Sequence, residues 1–274
     1  MIGDMQKWTP NVAGIIEHAR EIHPKTEIIS RLVSGEIHRS NYEKVCIRSR
    51  KLASALEKDG VKKGDVIATL ALNTYRHLEM YYGISGMGAI THTLNFRLHP
   101  EQAVYIINHA EDKIIFVELP FVPILEALQE NLKTVEKYVV LCEVDEMPET
   151  TLKNAISYEE YIQDGDENYS WPTLEDDAAC ALCYTSGTTG NPKGVLYSHK
   201  SNVIHAQAAL TAMTIKPDDT ILMVVPLFHV LAWGIPYFGP MNGLKLVMPG
   251  MQMEGEPLFE LIDQEDVTLA FGVP

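Results

Sequence analysis

Residues 184–194 read Tyr184-Thr185-Ser186-Gly187-Thr188-Thr189-Gly190-Asn191-Pro192-Lys193-Gly194. Glycines in such a run let backbone N–H groups turn inward around a polyanion, and the serine and threonine hydroxyls add short hydrogen-bond donors. The lysine near its end supplies a positive charge for the outer phosphate groups. This combination indicates a loop that binds phosphate.

The residues on either side distinguish this loop from the common nucleotide-binding loop. In the common loop a Gly-Lys-Ser/Thr ending leads into a helix. Here Lys193 precedes Gly194, and residues 195–197 have the composition of a strand. Because an apolar run at 178–184 comes before the loop, we predict that it joins two strands. Its ligand would then be held by loop amides and hydroxyls, without a helix dipole behind them.

Helix and strand patterns alternate along the rest of the chain. They predict a helix over 11–22, a hairpin over 27–38, and a helix that opens at a Ser40-x-x-Glu43 capping box and stops at Gly60. Strand patterns at 66–70, 113–117 and 138–141 then alternate with helix patterns at 75–86 and 123–132. This alternation predicts an α/β fold in which layered sheets carry helices on their faces.

A polar, proline-containing stretch at 164–177 is our predicted subdomain boundary. We therefore expect a first α/β subdomain over 1–175 and a second subdomain, with the phosphate loop, over 176–274. Residues 267–274 read as an apolar strand that stops without a turn, cap or polar tail. We interpret the chain as truncated at this end.

Composition and charge limit the classes of binding partner and indicate the cellular compartment. A chain of 274 residues with 46% hydrophobic residues can bury a large core. Its net charge of −15 argues against nucleic acid or an anionic membrane as the main partner. Four cysteines are too few for a disulfide framework. We expect Cys180 and Cys183 to be core residues of a cytoplasmic protein.

The stretch 221–241 has no formal charge and resembles a membrane segment only in that respect. It contains Pro226, Pro236 and Pro240, which make a single spanning helix an unfavourable interpretation. We expect a buried strand followed by a helix that begins near His229 and lines an apolar cavity. Peripheral contact with a membrane stays open, and a transmembrane segment is not expected.

The run from Tyr184 to Gly194 resembles the phosphate-loop signature of the AMP-forming adenylating enzymes, which include acyl-CoA synthetases, luciferases and nonribosomal-peptide adenylation domains. Residues 226–237, Pro-Leu-Phe-His-Val-Leu-Ala-Trp-Gly-Ile-Pro-Tyr, are similar to the segment that lines the acyl tunnel in bacterial and archaeal fatty acyl-CoA synthetases. The patch Thr93-Leu94-Asn95-Phe96-Arg97-Leu98 and the helix-like 100–110 resemble the same subgroup. The resemblance extends over nearly the whole chain and places it in the large N-terminal domain of such an enzyme.

This resemblance implies a two-step reaction on a medium- or long-chain fatty acid. The carboxylate attacks the α-phosphorus of ATP and expels pyrophosphate, and the thiol of coenzyme A then attacks the acyl-adenylate. ATP, Mg²⁺ and coenzyme A are the implied co-substrates. In the resembled family further active-site motifs and a small C-terminal domain follow this region, so we expect these 274 residues alone to bind ATP weakly and to be inactive.

The resemblance also implies roles for individual residues. His229 would be catalytic, between the nucleotide and acyl sites, and Trp233 would gate the acyl tunnel. Thr185 aligns with a magnesium-ligand threonine. The implied contacts with ATP or its phosphates are those of Thr185, Ser186, Gly187, Thr188, Thr189, Gly190, Lys193, Val230 and Trp233.

Spacing adds one expectation about this segment. His229 and Trp233 are four residues apart, so a helix would place them on one face, with Tyr237 a turn further along, looking into a pocket. Ordinary core packing is the alternative for His229 and Trp233. His199, just after the loop, is either a site residue or only a turn residue before a helix.

Two other functions are compatible with the same residues. One is a different carboxylate-adenylating ligase, acting on an aryl or short-chain acid, although the apolar segment around Trp233 argues against it. The other is a non-catalytic nucleotide-binding module. Because related fatty acyl-CoA synthetases are often dimers through their N-terminal domains, a homodimer is the expected assembly.

Overall fold

A computed structural model of the chain describes Asp4, residues 8–185 and residues 191–272. The helices are α1 (Val12–Ile22), α2 (Tyr42–Lys58), α3 (Tyr75–Gly86), α4 (Pro100–Ala110), α5 (Val122–Leu128), α6 (Tyr158–Gln163), α7 (His199–Ala212), α8 (Ile235–Asn242) and α9 (Gly255–Gln264). The strands are β1 (Glu27–Arg31), β2 (Ile37–Asn41), β3 (Val66–Leu70), β4 (Ile90–Thr93), β5 (Ile114–Val117), β6 (Lys137–Val140), β7 (Ala155–Ser157), β8 (Ala179–Thr185), β9 (Lys193–Ser198), β10 (Thr220–Leu222), β11 (Lys245–Met248) and β12 (Leu269–Ala270).

These strands form two sheets. The larger has the order β7-β6-β5-β3-β4-β8-β9 and is parallel except for β9, which runs antiparallel to β8. The smaller has the order β12-β10-β11-β1-β2 and is parallel except for the β1–β2 hairpin. The predicted α/β architecture with layered sheets is confirmed. Each sheet takes strands from both sides of residue 175, and the proposed division into two subdomains stays a prediction.

Helix α3 lies at the centre of the molecule. All of its residues are buried, and it contacts strands of both sheets. Its charged side chains are paired: Glu79 accepts hydrogen bonds from Arg48 at 2.7 Å and from the Tyr158 hydroxyl at 2.8 Å, and Arg76 donates to Glu159 at 3.0 Å. Pairing is needed because an isolated buried charge costs several kcal/mol. Burial still raises the pKa of Glu79.

Helix α2 begins one residue later than the sequence pattern predicted. Its N-cap is Asn41, whose side chain accepts a hydrogen bond from the N–H of Lys44 at 2.9 Å. Ser40 instead lies within β2, where it is buried and pairs with Ile28. The Ser40-x-x-Glu43 capping box is therefore wrong, because strand pairing occupies Ser40 and the next residue has an equally suitable side chain.

The predictions for the strands around the loop and for two cysteines are confirmed. Strands β8 and β9 flank the phosphate loop, and Cys180 and Cys183 are buried in β8. Among the described residues, none of the helices is both long and apolar enough to cross a membrane.

Asn73, in the turn between β3 and α3, joins the two sheets. Its amide nitrogen donates to the carbonyls of Met223 and Val225 at 2.7 and 2.9 Å, and its carbonyl oxygen accepts from the N–H of Leu227 at 2.8 Å. The residues it binds follow β10 of the smaller sheet, whereas Asn73 follows β3 of the larger one. This buried side chain therefore fixes the segment that leads to His229.

We expect Asn73→Ala to lower the free energy of unfolding by about 3 kcal/mol, because buried backbone groups are left without partners. Equilibrium unfolding in urea measures the change. Asn108→Ala is the matched control: its amide also bonds two backbone groups, at 2.9 and 2.8 Å, but these hydrogen bonds are exposed to solvent. Equal losses in the two variants would contradict a special role for Asn73.

Candidate active site

The two described ends of the phosphate loop, Thr185 and Lys193, face each other at the end of the β8–β9 hairpin. Strand β4 pairs with β8 at Ala181 and Leu182, while the β8–β9 pairing continues to Thr185 opposite Lys193. Thr185 and Lys193 are exposed at this open end. The predicted contacts of Ser186, Gly187, Thr188, Thr189 and Gly190 lie outside the described residues and stay predictions.

A cavity of about 300 Å³ lies beside the base of the loop. Three residues predicted from the sequence meet in its wall: Thr185, His229 and Val230. Lys193 and Trp233 are not part of this wall. The described lining consists of Thr93, Asn95, Leu98, Gln102, Ile106, Cys183, Tyr184, Thr185, Pro192, Tyr197, Phe228, His229 and Val230.

The segment after His229 is a left-handed turn, and the predicted helix beginning near His229 is wrong. Residues Val230, Leu231, Ala232 and Trp233 have φ values of 46, 51, 47 and 55°. Helix α8 begins only at Ile235. Such backbone is unfavourable for residues other than glycine. It is accommodated here because Leu231 and Ala232 are buried in the main core, at 2% and 0% exposure.

The left-handed turn separates residues that a helix would have aligned. Trp233 lines a second cavity of about 390 Å³, whose lining is His205, Ala208, Ala209, Ala212, Met213, Trp233, Phe238 and Phe271. Tyr237 is fully buried in the core. The expectation that His229, Trp233 and Tyr237 share a face that looks into one pocket is therefore wrong. His229 faces the cavity beside the loop, and Trp233 faces a predominantly apolar one.

Several contacts hold the turn in place. His205 of α7 is hydrogen-bonded through Nε2 to the carbonyl of Trp233 at 3.2 Å. Thr93 donates to the carbonyl of Phe228 at 3.3 Å, and the Tyr81 hydroxyl donates to the carbonyl of Leu227. Gly234 ends the turn at a φ of +85°, and a Cβ atom built there would lie 2.6 Å from Cδ2 of His205. Glycine is required at this position both for backbone conformation and for space.

Two titratable side chains at the loop base, those of Cys183 and Tyr184, are held in their neutral forms. Burial raises the pKa of the Cys183 thiol, which lies 3.4 Å from the Thr93 hydroxyl, so the thiol is a poor nucleophile. Burial also raises the pKa of Tyr184 to about 12. A thiolate mechanism at Cys183 is therefore disfavoured.

His199 is a core residue rather than a group of the loop cavity. It is the first residue of α7, it is fully buried, and its Nδ1 accepts a hydrogen bond from the N–H of Val12 at 3.3 Å. Burial lowers its pKa to about 4, so the ring is neutral at physiological pH. Its role is to anchor α1 against the start of α7.

Sequence reasoning missed several residues in the wall of the loop cavity. Asn95 belongs to the patch at 93–98 that carried part of the resemblance, but no role was assigned to it. Gln102 and Ile106 are four residues apart on α4, the spacing of one helical face, and both line the cavity. The helical periodicity of 100–110 would have identified this face, but nothing local indicated that it meets β8.

A family model and individual relatives of known name place the chain in the same family of proteins. Residues 16–274 match the family model described as AMP-binding enzyme. The chain is 45% identical to a medium-chain-fatty-acid–CoA ligase of Ectopseudomonas oleovorans, covering 100% of this chain and 50% of that protein. It is 44% identical to a 3-methylmercaptopropionyl-CoA ligase of Ruegeria lacuscaerulensis, covering 100% of this chain and 51% of that protein. The chain thus spans about half the length of the curated relatives it matches.

A solved structure shows the same fold. A long-chain-fatty-acid-CoA ligase from Archaeoglobus fulgidus superimposes with a TM-score of 0.84 at 24% sequence identity, over 100% of this chain and 54% of that one. The arrangement of sheets and helices is therefore that of the N-terminal domain of adenylate-forming enzymes.

The geometry at Gly234 predicts a stability difference between two glycine substitutions. Gly60 has the same φ of +85° but open space around it, so Gly60→Ala should cost only the backbone strain of about 1–2 kcal/mol. Gly234→Ala should cost a further ~1–3 kcal/mol, because the new methyl group meets the His205 ring. Urea unfolding of both variants checks this, and equal losses would show that His205 does not constrain the turn.

Proposed function

The chain belongs to the AMP-binding enzyme family, and from this membership we propose that it is part of a ligase that activates a fatty acid. Such an enzyme converts the acid and ATP into an acyl-adenylate and pyrophosphate, and then transfers the acyl group to coenzyme A. The observation that carries the proposal is that the Gly/Ser/Thr/Lys run connects β8 to β9, and that its first residue, Thr185, lines one cavity together with His229 and Val230.

In the first step a carboxylate oxygen bonds to the α-phosphorus of ATP, and the bond to the pyrophosphate oxygen breaks. Enzymes accelerate such in-line displacements mainly by positioning the reactants and neutralising charge. We assign charge neutralisation to Lys193 and hydrogen bonding to the hydroxyls of Ser186, Thr188 and Thr189. The remaining implied contacts, from Gly187 and Gly190, would be made by backbone N–H groups.

Mg²⁺ is the expected companion of ATP in this step, because it prefers oxygen ligands that include phosphate oxygens. Thr185 lies in the wall of the loop cavity, and a threonine hydroxyl is a suitable oxygen ligand. Within the described parts of the chain, no group of three or more His, Cys, Asp and Glu could hold a metal ion. The phosphates themselves would therefore supply much of the coordination, and the ion would supply charge neutralisation.

The left-handed turn suggests how the acid is arranged. One side of the turn presents His229 and Val230 to the loop cavity, and the other presents Trp233 to the apolar cavity. A fatty acid could place its carboxylate near His229 and its hydrocarbon tail past Trp233. This supports the roles of His229 at the reacting groups, Val230 at the nucleotide and Trp233 as the acyl gate.

The proposal also includes a cellular location and an oligomeric state for the enzyme. We place it in the cytoplasm, because the four cysteines are buried free thiols, as suits a reducing compartment. A homodimer is the proposed assembly. Coenzyme A is the proposed acceptor in the second step, in which its thiol attacks the carbonyl carbon of the acyl-adenylate and AMP leaves.

A ligase for a short-chain acid is the second candidate. The 44% identical relative from Ruegeria lacuscaerulensis bears the name 3-methylmercaptopropionyl-CoA ligase, and its identity to this chain nearly equals that of the medium-chain ligase. A panel of saturated acids of increasing length, with pyrophosphate exchange measured for each, separates the candidates. Highest activity with the shortest acids would favour the second.

We expect Lys193→Ala or Thr188→Ala in the full-length enzyme to reduce acid-dependent ATP–pyrophosphate exchange about 10- to 1,000-fold, because charge-assisted contacts to the leaving phosphates are lost. The affinity for the fatty acid should change little. Lys200→Ala is the control, since this exposed lysine on α7 pairs with Asp176. Unaltered exchange in the Lys193 and Thr188 variants would mean that the loop has only a structural role.

Trp233→Ala in the full-length enzyme should change the KM for long acids about tenfold or more, or shift the preferred chain length, because the side chain borders the apolar cavity. Trp171→Ala is the matched control, as this indole is hydrogen-bonded to Glu17 and lines neither cavity, so its loss should affect stability alone. If Trp233 only packs, its removal should instead cost about 3–5 kcal/mol of stability with an unchanged chain-length profile.

A further inference from the structure

A hydrogen bond connects the base of the phosphate loop to a separate helix. The hydroxyl of Tyr184, the residue before Thr185, lies 2.6 Å from Nδ1 of His109. His109 is in the last turn of α4. Because burial raises the pKa of Tyr184, the hydroxyl stays protonated and can donate a hydrogen bond to the imidazole.

The end of the hairpin needs such a contact. Beyond Leu182, strand β8 loses its pairing with β4 and is paired only with β9 among the described residues. Strand β9 is itself at the edge of the sheet and is exposed from Lys193 to Leu196. A two-stranded ribbon is marginally stable in water. The side chain of Tyr184 ties this ribbon to the body of the domain.

The ring of Tyr184 is guided towards α4 from two sides. Gly194 lies opposite it in β9, and a Cβ atom built there would lie 3.3 Å from Cζ of Tyr184. The ring of His92 lies behind, at a centroid distance of 5.1 Å, and is itself held by a hydrogen bond of 2.8 Å to the buried Asp112. The tyrosine hydroxyl is thereby directed at His109, and the His109 and Tyr184 rings lie edge-on to each other at a centroid distance of 5.8 Å.

The same face of α4 also forms a wall of the loop cavity. Gln102, Ile106 and His109 recur at the spacing of one helical face, and the first two line the cavity together with Tyr184 and Thr185. The helix therefore contacts the site at one end of this face and holds the loop base at the other. A shift of α4 would move the cavity wall and the loop together.

We propose that His109 is a positioning residue for the phosphate loop: its hydrogen bond to Tyr184 fixes the end of β8, including Thr185, the residue at which the loop begins. His109 is not among the residues that line the loop cavity, so it would act through Tyr184. The inference rests on the proposed function, because it assumes that the loop binds the phosphates of ATP. Loss of this hydrogen bond should raise the KM for ATP and leave the KM for the fatty acid unchanged.

The test compares His109→Ala, Tyr184→Phe and the double variant in the full-length enzyme by ATP–pyrophosphate exchange. Each single change should raise the KM for ATP about 3- to 10-fold, the effect of losing one hydrogen bond. The double variant should be no worse than the single ones, because both changes remove the same contact. His109→Asn, whose amide can replace Nδ1, should recover most of the loss.

Tyr161→Phe is the matched control. It removes a tyrosine hydroxyl bonded to Asp59 at 3.1 Å, on α6 beside the opposite edge of the larger sheet. A KM for ATP that stays unchanged in the His109 and Tyr184 variants, as in this control, would overturn the proposal. So would an equal rise in the KM for the fatty acid, because a general disturbance of the fold would explain it.

A second measurement does not depend on activity. Amide hydrogen exchange of the peptide containing residues 182–185 should be about fivefold faster in His109→Ala than in the unsubstituted protein, because opening of the hairpin end becomes easier. Unchanged exchange there would overturn the proposal. If the unsubstituted enzyme shows no pyrophosphate exchange with any acid, the proposed function fails, and the amide measurement alone decides the role of His109.

Discussion

The hydrogen bonds of Asn73 are the constraint on which the arrangement of the two sheets and the site depends. The segment that leads to His229 leaves β10 of the smaller sheet, yet it is fixed by a side chain that follows β3 of the larger one. Buried backbone groups left without partners cost about 1–3 kcal/mol each, so other placements of this segment are unfavourable. The position of the loop cavity therefore depends on the hydrogen bonds that hold this segment between the two sheets.

The left-handed turn after His229 directs neighbouring residues of this fixed segment into two different cavities. Four consecutive non-glycine residues with positive φ are a source of strain, and such strain persists only where surrounding contacts impose it. Here the contacts are the burial of Leu231 and Ala232 and the bond from His205 to the carbonyl of Trp233. One short segment thereby lines both cavities: the loop cavity through His229 and Val230, and the apolar cavity through Trp233.

Much of the fold could be predicted from the sequence because its local patterns agree with the tertiary structure. The bounds predicted for α3 match the structure, and the strands on both sides of the phosphate loop are confirmed. The turn at 230–233 could not be predicted, because the spacing of His229 and Trp233 fits an ordinary helix and only distant contacts reverse the sign of φ. The contact of His109 with Tyr184 was equally hidden, since it joins elements far apart in the chain.

The pairing of β1 with β11 has a consequence for the order in which the protein is made. Ile28 pairs with Leu246, so the N-terminal hairpin waits for its central partner until most of the chain has left the ribosome. At roughly 5–20 residues per second, this interval is on the order of ten seconds or more. During it, one edge of β1 offers unpaired backbone groups to any neighbouring strand. Synthesis, rather than the finished fold, is the stage at which this architecture is most vulnerable.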